Sequence, residues 1–147
     1  MQIIILGMHR SGTSVISRLL NMMGAYFGPE GMITGANIEN PKGFWERKDI
    51  RKANDKLLHT NNLDWNRIAK FDIQNLSEDS INIYQKEVAN IILNMDANRP
   101  WFVKEPRLCL FFYLWKDLLE VPVCLHVIRN PLEVASSLKK RNDIPIL

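Results

Sequence analysis

The stretch Gln2-Ile3-Ile4-Ile5-Leu6-Gly7-Met8-His9-Arg10-Ser11-Gly12-Thr13-Ser14 decides the fold of this chain. Gln2–Leu6 is almost wholly apolar, the pattern of a short strand buried on both faces of a parallel sheet. Gly7 to Gly12 interrupts that run with a loop. From Thr13 to about Met23, the apolar residues Val15, Ile16, Leu19, Leu20 and Met23 recur at helical spacing. Gly24 then stands where a helix takes a left-handed residue just past its end. A buried strand therefore runs through a glycine-bounded loop into a helix N-terminus, and two effects make that junction an anion site. Glycines let successive backbone N–H groups point inward, and the helix end adds about half a positive charge. Ser11, Thr13 and Ser14 add hydroxyl donors, and Arg10 adds a permanent cation.

The spacing Gly-x4-Gly is that of a P-loop, with Thr13 where a nucleotide triphosphatase carries lysine. Beyond it, the glycines continue only as far as Gly43. The irregular stretch from Gly24 to Gly43 is long enough to predict a functional loop or lid. Glu46 to Leu58 reads as a polar helix with Ile50, Ala53 and Leu57 as its apolar stripe, followed by a connection through Trp65 and Phe71. Ser77 to Met95 reads as a longer helix with Ile81, Tyr84, Val88, Ile91 and Met95 on one face. Trp101–Lys104 is a second strand, Leu108–Leu119 an apolar helix and Val121–Ile128 a third strand. Pro131–Arg141 is a helix with proline in its first turn. Alternating strands and helices predict one α/β domain, a three-layer P-loop-like parallel sheet flanked by helices.

Bulk properties agree. The chain has 147 residues, 46% hydrophobic and 24% charged, the balance of a globular domain rather than a disordered tail or coiled coil. A net charge of +3 suits a polyanionic small ligand as well as nucleic acid, but the basic excess is small and no recognition motif appears, so nucleic acid is the minor option and no such partner is expected. Lys139-Lys140-Arg141 reads as a solvated helix end favoured by the macrodipole. Cys109 and Cys124 sit in apolar runs and read as buried thiols in a reducing compartment. His9, His59 and His126 have no metal-ligand spacing, and no metal is expected. No segment approaches the roughly 20 apolar residues that span a bilayer, so a soluble, cytoplasmic protein without a membrane partner is expected.

A second anion site is legible near the other end. Val127-Ile128-Arg129-Asn130-Pro131 closes the third strand and opens a helix that carries Ser136 and Ser137. Strand end and helix set a cation beside a hydroxyl, and arginine can grip a phosphate through two parallel hydrogen bonds.

Together these motifs resemble those of sulfotransferases that use 3′-phosphoadenosine 5′-phosphosulfate (PAPS). His9-Arg10-Ser11-Gly12-Thr13-Ser14 is similar to the family's 5′-phosphosulfate loop, a basic residue followed by Ser-Gly-Thr-Thr/Ser. Arg129-Asn130-Pro131, with Ser137 eight residues past the arginine, is similar to its 3′-phosphate motif. The resemblance runs through Lys104-Glu105-Pro106-Arg107, like a Lys-Asp-Pro-Arg stretch in bacterial members, from which Glu105 departs. It implies PAPS as co-substrate, held at Gly7, His9, Arg10, Ser11, Gly12, Thr13 and Ser14 and at Arg129 and Ser137. Arg10 would contact the transferring group. Relatives directed at carbohydrate or tyrosine use a glutamate after the first loop as base, and Glu46, ending Asn40-Pro41-Lys42-Gly43-Phe44-Trp45-Glu46, is the matching residue.

Residue chemistry leaves several roles open. Glu46 serves either as base or as an acid favouring a helix start. His9 is expected to be structural within the loop, and Lys104 either reaches donor or acceptor or is an ordinary paired lysine. Phe44 and Trp45 either stack on ligand or join the core. The acceptor is expected to be a small-molecule or carbohydrate hydroxyl, with peptide and lipid hydroxyls not separated from these. A P-loop kinase is the competing enzyme, although Lys104 and Arg129 at strand ends do not suit Mg²⁺. A non-catalytic PAPS- or 3′,5′-ADP-binding fragment is the other alternative, because complete sulfotransferases continue past the second motif.

Overall fold

The computed structural model describes residues 1–29, 31–36, 40, 41 and 43–142; Lys42 and the chain from 143 onward lie outside the described residues. Strands β1 (Gln2–Leu6), β2 (Trp101–Lys104) and β3 (Pro122–His126) form a parallel sheet in the order β2–β1–β3. Five α-helices are described: α1 (Thr13–Met22), α2 (Lys48–Thr60), α3 (Glu78–Asp96), α4 (Leu108–Trp115) and α5 (Pro131–Asn142).

Strand alternation divides the core between two faces. Ile4, Leu6, Trp101 and Val103 point to one side and pack with Ile50 and Leu57 of α2, Tyr84 and Val88 of α3, and Phe111 and Trp115 of α4. Ile3, Ile5 and Phe102 point to the other, against Ile16 and Leu20 of α1 and against Ala25 and Phe27. The three expected layers are present, and the continuous apolar run of β1 is explained by its burial on both faces.

Register positions the site. Ile5 lies opposite Lys104 and Leu125, and Leu6 opposite His126, so the three strands end at one level. The segments that follow them meet along that edge, where open parallel sheets place their ligands. At the opposite edge the Asp96 carboxylate accepts hydrogen bonds from Arg99 Nε (2.8 Å), Trp101 Nε1 (2.7 Å) and Gln2 Nε2 (3.1 Å). Arg99 foremost holds that carboxyl down to about 2. This cluster fastens α3 to the sheet and explains the buried Gln2.

The helix that follows the first loop corrects the periodic reading. Ile16 and Leu20 pack inward, but Val15, Leu19 and Met23 are exposed, while Thr13 and Ser17 are buried. Small side chains face the sheet because the helix start lies close to it, and Ser17 Oγ donates to Thr13 O at 2.9 Å. Its end is as expected: Gly24 is left-handed, and the Gly24 and Ala25 N–H groups bond back to Asn21 O and Leu20 O.

Other boundaries shift for local reasons. α2 begins at Lys48 with Arg47 as its N-cap, so Glu46 precedes the helix. α4 ends at Trp115 and tightens into a 3₁₀ turn over Lys116–Leu118. Cys109 is exposed rather than buried, because α4 buries Leu108, Phe111, Leu114 and Trp115 instead; Cys124 is half-buried, and both thiols are free. Among the described residues no helix is long and apolar enough to cross a membrane.

Candidate active site

The first loop is built by close packing. Ser11 donates from both its N–H and its Oγ to Met8 O, at 3.1 and 2.7 Å, closing a tight turn. Arg10 (φ 68°) and Gly12 (φ 101°) are left-handed. No side chain caps α1, so its first N–H groups lack an intrahelical partner beside the cavity that Gly12, Thr13 and Ser14 line. Gly7 has no room for a side chain: a Cβ there would stand 2.7 Å from Thr13 Cγ2 and 2.8 Å from Val127 O. Gly7→Ala is therefore expected to cost about 1–3 kcal/mol in urea unfolding, since one contact is backbone. A midpoint equal to the parent's would show that the Val127 carbonyl gives way.

The cavity at the carboxyl edge has a volume of about 270 Å³. The loop contributes His9, Arg10, Gly12, Thr13 and Ser14, the stretch before α2 contributes Asn40, Phe44 and Glu46, and the end of β2 contributes Lys104 and Pro106, whereas Gly7 and Ser11 line a separate hollow. Arg129 and Arg141 complete the wall. Among the described residues, four cationic side chains thus line the cavity with one carboxylate. An adjoining groove of about 430 Å³ runs past Arg129, Glu133, Ser136, Ser137 and Lys140. Arg129 lines both hollows.

The two sequence motifs touch. Arg10 Nε donates to Ser137 Oγ at 2.9 Å, and Arg129 Nη1 donates to the Arg10 carbonyl at 3.1 Å. Arg129 is half-exposed and also pairs with Glu133 at 2.8 Å. Segments from opposite ends of the chain therefore share one surface.

Glu46 is aimed by the stretch that precedes it. Thr34 N–H donates to Glu46 O and Lys48 N–H to Met32 O, both at 2.7 Å, around an antiparallel bridge between Ile33 and Arg47. Arg47 is buried against Gly28, whose φ is 126°, and is held by Asp49 at 2.6 Å. Between these fixtures Trp45 turns left-handed into the core beside Phe27, with ring centroids 5.7 Å apart, while Phe44 lines the cavity. Glu46 Oε1 receives a 2.7 Å bond from Lys104 Nζ, and the two side chains are only 12% and 2% exposed. It is not a helix-start acid; it faces Lys104.

His9 lies in the cavity wall against Trp65, with ring centroids 5.0 Å apart, and its buried Nε2 has no hydrogen-bond partner among the described residues. Burial first, then the charges of Arg107, Arg141 and Lys104, lowers its pKa to about 4. A folded value below the unfolded 6.5 means that the unfolded chain takes the proton first. Stability contributed by neutral His9 is full above pH 6.5, falls as pH drops through that window, and is lost by about pH 4. The loss is on the order of 3 kcal/mol. His9→Asn should flatten that part of the urea-midpoint profile, and an unchanged slope would exclude His9 as its source.

Two residues escaped the sequence. Arg141 belongs to the cavity wall and approaches Trp65 at 6.0 Å, although Lys139-Lys140-Arg141 reads as a solvated end. Trp65 backs His9 from a connection with no periodic signal. Pro106 and Asn40 line the wall without any motif chemistry of their own. Among the described residues, no cluster of three or more His, Cys, Asp or Glu side chains could hold a metal ion.

These elements define a P-loop-like α/β domain with a cationic cavity across the ends of its strands. The chain matches the sulfotransferase family over residues 2–143 and belongs to that family. No curated protein and no solved structure matches it.

Proposed function

We propose that this chain transfers a sulfuryl group from PAPS to a hydroxyl of a small-molecule or carbohydrate acceptor. The observation that carries the reading is the contact of Arg129 with Arg10, at the seam of two adjoining hollows. A donor with anionic groups at both ends of one nucleotide fits that pair, and a single phosphate does not need it. PAPS supplies an activated sulfuryl group on a 5′-phosphate and a second phosphate on the 3′-oxygen.

In this reading the loop Gly7–Ser14 holds the 5′ end through the N–H groups of Gly12, Thr13 and Ser14 and the Thr13 hydroxyl, while Gly7 and Ser11 shape the turn. Arg10 sits at the sulfuryl group, and Arg129 and Ser137 take the 3′-phosphate. Ser137 Oγ accepts from Arg10, which leaves its own proton free to donate to that phosphate. Glu46 takes the acceptor proton. The acceptor oxygen then forms its bond to sulfur as the bond from sulfur to the 5′-phosphate oxygen breaks, leaving 3′,5′-ADP. Protonation of Glu46 removes the partner of Lys104, whose charge is then available to the sulfuryl oxygens. Preorganised cations of this kind supply most of the stabilisation in such transfers.

Calorimetric titration with 3′,5′-ADP against ATP–Mg²⁺, followed by turnover of sulfur-labelled PAPS over a panel of hydroxyl acceptors, tests the proposal. Selective 3′,5′-ADP binding with label transfer is expected. Binding without transfer to any acceptor would leave a nucleotide-binding module, and magnesium-dependent ATP turnover would favour a kinase.

A further inference from the structure

Lys104 and Glu105 part company at the end of β2. Lys104 lies on the Ile3–Ile5 face, at the cavity, and Glu105 on the opposite face, only 1% exposed. There its Oε2 accepts from Asn54 Nδ2 at 2.5 Å and from Arg107 N–H at 3.1 Å, and its Oε1 accepts from Arg107 Nε at 2.9 Å. Arg107 continues to Asp55. Asn54 Oδ1 accepts from the Tyr84 hydroxyl at 2.6 Å, and that hydroxyl accepts from Trp115 Nε1 at 2.8 Å. One buried chain of hydrogen bonds therefore ties α2, α3 and α4 to the turn that carries Lys104 and Pro106 into the cavity wall.

A buried carboxylate is costly unless its partners are fixed, and a fully satisfied network is rigid. An apolar side chain at position 105 would fill the same face more cheaply. We infer that Glu105 is a positioning residue, which through Asn54 and Tyr84 on one side and Arg107 on the other holds Lys104 against Glu46. The inference rests on the sulfotransferase reading for its catalytic meaning, but the positioning itself is measurable without turnover. The extra methylene of glutamate over aspartate gives the reach to α2.

The test compares Glu105→Asp and Tyr84→Phe with Val88→Ala, a substitution in the helix and core of Tyr84 that removes none of these hydrogen bonds. Acetic anhydride labelling of Lys104, read by mass spectrometry against the exposed Lys56, reports how firmly the amine is held. Labelling in Glu105→Asp and Tyr84→Phe is expected to rise about fivefold or more, with little change in Val88→Ala. Equal rises in all three would reduce the network to general core stability and overturn the inference. Turnover of PAPS to 3′,5′-ADP and sulfate gives the second arm. Glu105→Asp should slow it about tenfold in the parent and less than about twofold in a Lys104→Ala background, because residues acting as a unit are not additive. Equal slowing in both backgrounds overturns the action through Lys104. A parent that moves label from PAPS neither to water nor to any hydroxyl acceptor defeats the sulfotransferase reading and leaves the labelling comparison to decide the positioning.

Discussion

Arg129→Ala is expected to weaken 3′,5′-ADP by about 10- to 150-fold and 5′-AMP by less than about threefold. The first range is what loss of charge-assisted hydrogen bonds of about 1.5–3 kcal/mol gives. Arg129 sits on the exposed rim, paired with Glu133, so ligand phosphate competes with a carboxylate at 2.8 Å and the lower half of the range is the better guide. The small loss for 5′-AMP comes from the bond that Arg129 makes to the Arg10 carbonyl, which steadies the first loop. Arg129→Lys should recover only part of the affinity, since an ammonium cannot reproduce the fork that spans two acceptors. Calorimetry with both nucleotides decides the matter, and equal losses for the two would remove the 3′-phosphate assignment.

Glu46→Gln is expected to lower sulfuryl transfer by about 10²- to 10⁴-fold, the usual contribution of a positioned base, while donor affinity holds or improves. Two consequences of one change separate here. The substituted amide can still accept the Lys104 hydrogen bond, but it no longer neutralises a lysine that is 2% exposed. Leaving a buried charge without its partner costs roughly 3–5 kcal/mol when the partner is removed outright, so the free protein should unfold at lower urea. The cavity meanwhile loses its carboxylate, which favours an anionic ligand, and 3′,5′-ADP should restore more stability to the variant than to the parent. Unchanged turnover would exclude Glu46 as base even if the stability shift is seen.

Much of this site is visible as spacing. Gly7, Arg10, Gly12 and Thr13 announce an anion loop because a glycine-bounded turn between a buried strand and a helix has few other physical uses. Arg129 and Ser137 come instead from the resemblance, whose 3′-phosphate motif has the offset of eight residues found here. Arg141 and Trp65 were not visible, because their importance comes from which cavity they meet and not from any local pattern. The misread face of the first helix has the same origin: Val15 and Leu19 fit an apolar stripe, yet close approach to the sheet selects Thr13 and Ser17. Glu105 stands out in sequence only as a departure from aspartate, and Asn54, Tyr84 and Trp115, which continue its hydrogen-bond chain, lie on three different helices.

Residues a few positions apart are enough to specify the strand–loop–helix start, the parallel α/β class and the two basic motifs. It took the folded chain to bring Arg10 to Ser137 and Arg129, to pair Glu46 with Lys104, and to bury Glu105 behind them. Those meetings depend on the order β2–β1–β3 and on strands ending at one level, so that distant segments share one edge. Local periodicity carries no record of them.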